Sequence, residues 1–274
     1  MKLSVYTFAR NGLRNDYHLL HMVRHHLPFA DEIVIHEGLS TDGTFGALEA
    51  IARREPKVKL FRSDWDRFKG MEFCKNFKDE ARKRCTGDWC VLLDADELLP
   101  EWEWEPLRKA MATTDRVTLG MTLTNFYGNY RVYCAEPKKF RWPWMKVNVH
   151  RNVPGIQMWG GDASSVKADC EEFEMVAERA VCDLHHFGYV RKPARLREAW
   201  RNMRGLLYNA PPPRFKLPSW LFNLFPHNWL DADFLPALAL YEGKHTQTVL
   251  NDPAEFTRDG MKLYEHLKAR ATGA

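Results

Sequence analysis

The sequence predicts an α/β protein whose N-terminal half is a parallel, doubly wound sheet. Two observations carry this reading: short strand-like and helix-like stretches alternate up to Pro100, and the fourth strand-like run is continuously apolar. Residues 2–8 alternate polar and apolar as a first strand, and Arg10-Asn11-Gly12 breaks it. Leu13, Tyr17, Leu20, Val23 and Leu27 then recur at helical spacing, and Pro28 closes that run. Residues 32–36 form strand two, which runs into a turn of small and acidic residues, Glu37 to Thr44, and a helix over about 45–54. Strand three covers residues 57–61, followed by Arg62-Ser63-Asp64-Trp65 and a basic helix over about 71–84. Gly87 then opens the apolar run Trp89-Cys90-Val91-Leu92-Leu93, a buried strand.

After Pro100 the pattern changes. Strands are expected at residues 117–125, 129–133, 147–152 and 181–185, with a glycine-rich loop at Trp159-Gly160-Gly161-Asp162. A basic amphipathic helix is expected at 193–207, a break at Pro211-Pro212-Pro213, an aromatic, Leu- and Pro-rich stretch at 220–240, and a final helix over about 253–270.

Hydrophobic residues make up 45% of the chain and charged residues 28%, which describes a soluble globule with ample core. Among its 274 residues no apolar run is long enough to predict a transmembrane helix, and the opening residues read as a strand rather than a signal peptide. Six cysteines without a Cys-x-x-Cys pair suggest reduced thiols and a cytoplasmic protein. The formal charge of +4 is unevenly placed. Lys138, Lys139, Arg141, Lys146 and Arg151 form one acid-free basic stretch, and residues 191–204 form another with Glu198 as the only acid. Such patches suit anionic partners: phosphates, nucleic acid or an acidic membrane surface.

At the end of the fourth strand, Asp94, Asp96 and Glu97 crowd together. Ligands of open α/β sheets bind outside that end of the strands. Crowded carboxylates repel unless a cation sits between them, and oxygen ligands suit Mg²⁺ or Mn²⁺ shared with substrate phosphates. Asp64-Trp65-Asp66 and Asp231-Ala232-Asp233 have the same form, but only the triplet at 94–96 directly follows a core strand. The competing reading is an acidic turn that opens the next helix.

Three segments, in order, resemble glycosyltransferases of family 2, which have the GT-A fold. They are Glu37-Gly38-Leu39-Ser40-Thr41-Asp42-Gly43-Thr44, the run from Ala81 through Thr86-Gly87-Asp88-Trp89 to Leu93-Asp94-Ala95-Asp96-Glu97, and Leu184-His185-His186-Phe187-Gly188-Tyr189-Val190-Arg191. The resemblance implies a Rossmann-like, mostly parallel central sheet flanked by helices, with a helical C-terminal extension. Residues 1–100 would bind a nucleotide-sugar, residues 101–192 would form the acceptor side of the same domain, and 193–274 the extension. It implies that Thr7, Arg10 and Glu37 contact the nucleoside of the donor, although the family usually has Asp at the place of Glu37. Ser40, Asp42 and Asp64 fall on the same donor side, and Ser40 or Asp42 also reads as a helix cap. Lys78 and Arg82 approach the diphosphate, as Lys75 does. Asp94, Ala95 and Asp96 hold the ribose and a divalent metal, Mn²⁺ or Mg²⁺, with Asp96 the more direct ligand. His186 completes the metal shell, with His185 as the alternative register, and Arg191 neutralises the leaving diphosphate.

The implied reaction is an inverting transfer of a hexose or pentose, with a UDP-sugar the favoured donor. Asp162 is the base that takes the acceptor proton, because the preceding glycines let backbone approach a substrate closely. Trp159 is a candidate to stack on a sugar. The basic stretches imply an anionic acceptor: a glycan or lipid-linked glycan at the inner face of a membrane, or a modified nucleic acid. Two other classes fit parts of this pattern, a nucleotidyltransferase or similar metal–nucleotide enzyme and a non-catalytic glycan- or nucleic-acid-binding protein. The sequence leaves the oligomeric state open.

Overall fold

The computed structural model describes residues 1–65, 72–138, 144–160, 162–172, 180–192, 194–196, 198, 235–251 and 258–272. Asp66, the break at Pro211-Pro212-Pro213, the triplet at 231–233 and most of the expected basic helix at 193–207 lie outside the described residues. In chain order the N-terminal half is β1 (Leu3–Ala9), α1 (Leu19–His26), β2 (Glu32–Glu37), α2 (Thr44–Ala52), β3 (Val58–Arg62), α3 (Glu72–Arg82) and β4 (Trp89–Leu92). Then come β5 (Glu97–Leu98), α4 (Glu101–Thr113), β6 (Thr118–Tyr127), β7 (Asn129–Cys134) and β8 (Met145–Arg151). They are followed by β9 (Ile156–Trp159), β10 (Ser165–Ala168), β11 (Ala180–Tyr189), β12 (Leu238–Leu240) and α5 (Arg258–Thr272).

β1 pairs in parallel with both β2 and β4, and β2 with β3, so the spatial order is β3-β2-β1-β4. The chain winds one way from β1 to β3 and the other way to β4. That reversal leaves a crevice outside the C-terminal ends of β1 and β4. Beyond β4 the sheet continues through antiparallel β8 and β6, then β7 and β12. β11 lies parallel to β6 and antiparallel to β5, with His186 opposite Glu97. This is the sheet implied by the resemblance, parallel on the N-terminal side and mixed beyond it. β9 and β10 form a separate hairpin, two strands that the sequence reading does not anticipate on either side of the expected glycine-rich loop.

Strand alternation sends side chains to both faces. Val5, Ile33, Ile35 and Val91 pack with Leu19, Val23 and Leu107 on one face, while Tyr6, Val34, Cys90 and Leu92 meet Phe73, Phe77 and Ala81 of α3 on the other. A Cβ at Gly87 would come within 2.7 Å of Ser4 N and 2.9 Å of Lys2 O, so only glycine lets β4 start this close to β1. A third cluster seats Leu263 and Leu267 of α5 on Val132, Cys134 and Leu238. Among the described residues no helix is long and apolar enough to cross a membrane.

Three histidines are locked into this core in neutral form. His26 Nδ1 donates to Met22 O while its Nε2 accepts from Leu99 N. His150 Nδ1 donates to Arg151 O, and His185 Nε2 meets the Tyr241 hydroxyl. Burial pushes the pKa of His26 and His185 down to about 3 and that of His150 down to about 4. In the unfolded chain each titrates near 6.5, so protons bind preferentially to the unfolded state below that pH. Stability is therefore complete above pH ~6.5 and falls as pH drops toward ~4, with a limiting slope of roughly 4 kcal/mol per pH unit for three groups. Urea melts at pH 7.5, 6.0 and 5.0 are expected to show a progressively lower midpoint. A midpoint that does not change from pH 7 to 5 would contradict this.

Candidate active site

Two charge clusters form at the crevice. The first is centred on Asp94, two residues beyond β4. Lys78 reaches it from α3 with Nζ 2.6 Å from Asp94 Oδ1, and Lys146 reaches it from β8 with Nζ 2.7 Å from Oδ2. Lys146 also bonds Glu97, whose other oxygen accepts the Asp94 backbone N–H at 2.8 Å. Both lysines are almost fully buried, at 2% and 6% exposure, so neither charge is satisfied by water. Burial pushes the Asp94 pKa up, but the two ammonium groups outweigh it and hold the carboxyl well below its usual range. Burial lowers and the carboxylates raise the pKa of Lys146, with a net rise, so it stays charged. Glu97, with no exposure, is pushed up by burial despite Lys146.

The second cluster is centred on Asp96. Arg191 Nη2 donates to Asp96 Oδ2 at 2.5 Å, and His186 Nε2 lies 3.8 Å from Oδ1. Asn125 Oδ1 accepts from His186 Nδ1 at 2.7 Å, which orients the ring with Nε2 toward Asp96. β5 places this pair, since Phe187 N donates to Asp96 O at 2.8 Å. Gly188 makes room: a Cβ there would stand 2.5 Å from His186 Nε2 and 3.1 Å from Asp96 Oδ2. The Arg191 guanidinium lies 3.8 Å over the Tyr17 ring, and its buried Nε has no hydrogen-bond partner. Burial raises the Asp96 pKa, and His186 and Arg191 bring it down past its ordinary value.

The competing reading of residues 94–97 as a helix opening does not hold, because Glu97 lies in β5 and α4 starts only at Glu101. His186 faces the crevice, while His185 lies on the other side of β11 against Tyr241, Trp102 and Phe126.

The other expected site residues have varied surroundings. Thr7 is buried in β1 with its hydroxyl unpartnered, and Arg10 lies half-buried just past the strand. Glu37 has no exposure: Ser40 N donates to its Oε1 at 2.6 Å and Arg62 Nε to its Oε2 at 2.6 Å. Ser40 accepts from Asn11 N, and Asp42 accepts from Arg14 N and Thr44 N. Burial opposes ionisation of Asp42, and these bonds lower its pKa nonetheless. Glu37, Ser40 and Asp42 thus staple the turn after β2 to the loop after β1. Asp64 is exposed just beyond β3. Arg82, one turn beyond Lys78 on α3, bonds Asp79 at 2.7 Å rather than joining the Asp94 cluster. Ala95 is buried between the two clusters. Asp162 is exposed at the tip of the β9–β10 hairpin, its Oδ1 accepting from Ser164 N at 3.1 Å.

The expected metal set of Asp94, Asp96 and His186 is not assembled as three donors, because both Asp94 oxygens are held by ammonium groups. Among the described residues no group of three His, Cys, Asp or Glu side chains is arranged to hold a metal. Sequence reading missed Lys146 and Asn125. Lys146 stood in view only as part of a basic stretch.

Fold and site together describe an α/β protein with an acidic strand tip at the switch point of its sheet. The sequence matches Glycosyl transferase family 2 over residues 17–158, more than half of its length, and the chain belongs to that family, with the GT-A fold. No curated protein sequence matches it. Among solved structures it is similar to S. aureus TarS 1–349 in complex with UDP-GlcNAc, at 21% identity over 46% of this chain and 34% of that one (TM-score 0.33). It is also similar to TarS 1–349 in complex with UDP, at 14% identity over 100% of this chain and 92% of that one (TM-score 0.42).

Removing Lys146 leaves Glu97 and half of Asp94 buried without a cation. Lys146→Met is expected to cost ~3 kcal/mol or more, and adding Glu97→Gln to recover much of it, since an unpaired buried charge is what destabilises. Urea denaturation of the single and double variants checks this. A single variant as stable as the parent would contradict the assignment.

Proposed function

We propose that this protein transfers a sugar from a nucleotide-diphosphate donor to a hydroxyl acceptor, with inversion at the anomeric carbon. The observation that carries the reading is the pair of charge clusters at the switch point, where buried cations and carboxylates converge on the tip of β4. Thr7 Oγ1 and Arg191 Nε are buried polar atoms without partners at this end of the sheet, as expected of groups that a ligand satisfies. The donor is a nucleoside diphosphate hexose or pentose, with a UDP-sugar the first to try.

Asp96 Oδ1 and His186 Nε2 fit a divalent ion, because the bond to Asn125 turns Nε2 toward the carboxylate and, in the neutral ring, leaves its lone pair free for a metal. An imidazole nitrogen in the set favours Mn²⁺ over Mg²⁺. Asp94 does not fit as a third ligand and serves instead as an acceptor toward the ribose. When bound, such an ion offsets negative charge on the diphosphate.

The chain's own groups do the rest. Arg191 lends its guanidinium to the leaving phosphate oxygens. Asp162 takes the proton from the acceptor hydroxyl as that oxygen bonds to the anomeric carbon. The bond from that carbon to the diphosphate breaks, and its electron pair leaves with the phosphate. Trp159, 43% exposed on the same hairpin, stands where an acceptor sugar would stack. The acceptor is an anionic glycan or lipid-linked glycan met at a membrane surface, with the exposed Lys138 as one cation for it.

A thermal-shift panel of nucleotide sugars, with and without Mn²⁺, tests the reading. One donor is expected to raise Tm in the presence of the ion; at a hundred times its Kd the gain is about 2.7 kcal/mol. The same donor should be slowly hydrolysed, and Asp96→Ala should abolish both effects. No response to any nucleotide sugar, with or without metal, would overturn the proposal.

A further inference from the structure

Lys78 was expected to meet the donor diphosphate, but its surroundings give it another task. Its ammonium has three N–H donors and no acceptor. One side faces Asp94 Oδ1 at 2.6 Å, a second donates to the carbonyl of Ala163 at 3.1 Å, and the Phe8 ring lies 5.0 Å away. With 2% exposure, little of it is left for a phosphate.

The Ala163 carbonyl belongs to the turn that carries Asp162. Ala163 has no exposed surface and a φ of 54°, a left-handed conformation that costs a residue with a Cβ about 1 kcal/mol or more. Gly160, at φ 87°, accepts the Ala163 N–H at 3.3 Å and closes the turn. Below it, Met158 and Val166 pack in the same core as Phe73 and Phe77 of α3, and Ser165 Oγ accepts from Val147 N at 3.2 Å, beside Lys146. The strained turn is thus fastened at its Ala163 carbonyl to the cation that also grips Asp94.

We infer that Lys78 is a positioning residue that couples the donor side of the crevice, through Asp94, to the placement of Asp162 on the hairpin turn. The inference rests on the proposed transferase reading, in which Asp94 meets the donor and Asp162 the acceptor hydroxyl. A ligand that engages Asp94 redistributes the hold of Lys78 between that carboxylate and the Ala163 carbonyl, and the turn responds.

The test compares the full chain with Lys78→Met and Lys78→Arg. Hydrogen–deuterium exchange is read on residues 156–168, with and without UDP, and hydrolysis of a UDP-sugar is read as kcat and KM. Lys78→Met is expected to speed exchange in the hairpin without any nucleotide and to erase the further protection that UDP gives the parent. It should lower kcat by about a hundredfold, as loss of alignment does, while donor KM stays within about threefold. Lys78→Arg, which keeps the charge, should restore part of both. If Lys78→Met does not fold, Lys78→Gln makes the same comparison.

Unchanged hairpin exchange in the ligand-free variant would overturn the inference. So would a loss of UDP affinity with hairpin protection intact, which would make Lys78 a phosphate ligand. A parent protein that binds and hydrolyses no nucleotide sugar would overturn the transferase reading and the coupling with it, while the ligand-free exchange would still report on the fastening of the turn.

Discussion

Burying a carboxylate in a protein interior costs several kcal/mol unless a cation is buried with it. Here Asp94, Asp96 and Glu97 follow one another at a single strand tip, with exposures of 6% for Asp96 and zero for Glu97. Each is compensated by a cation from a different part of the chain: Lys78 from α3, Lys146 from β8, and Arg191 just after β11. The sequence separations are large, 52 residues for the Asp94–Lys146 bond and 95 for Asp96–Arg191. The strand tip is therefore stable only when α3, β8 and β11 are already docked around it. Assembly of the central sheet and assembly of the candidate site are one event.

The same constraint explains which parts of the molecule could be read from sequence. The first four strands and their parallel sense were legible, because apolar runs and turn residues are local signals. The choice between His185 and His186 was not, since a one-residue slip reverses which face every side chain of a strand takes. The pairings of β11 with β5 and with β6 fix it, and both partners are far from β11 in sequence. Lys146 was hidden for a related reason: a lysine reads as surface until the acids that neutralise it are known to be adjacent in space. Asp42 and Ser40 show the reverse problem. Their residue types suit both a nucleoside pocket and a helix start, and their bonds are divided between the loop after β1, at Asn11 N and Arg14 N, and the start of α2, at Thr44 N. Arg82 and Lys78 share a helix face by spacing, yet Asp79 lies within reach of only one of them.

The balance of charge bears on how the site would treat a diphosphate. Lys78, Lys146 and Arg191 stand against Asp94 and Asp96, with Glu97 shifted toward its neutral form by burial. The protein groups alone are thus near neutrality or slightly positive, in a setting where little water screens them. An anion entering such a site meets the field of cations that are already desolvated and oriented, so little solvent reorganisation accompanies its binding. A divalent ion between Asp96 and His186 would add to that field without being its only source. On the proposed function, removing the ion weakens the hold on the donor by the share that Asp96 and His186 carry, and the Lys78–Asp94–Lys146 cluster keeps the crevice shaped for a nucleotide in its absence. Metal dependence and nucleotide affinity are then separable properties of neighbouring clusters, each supported by its own strand and helix.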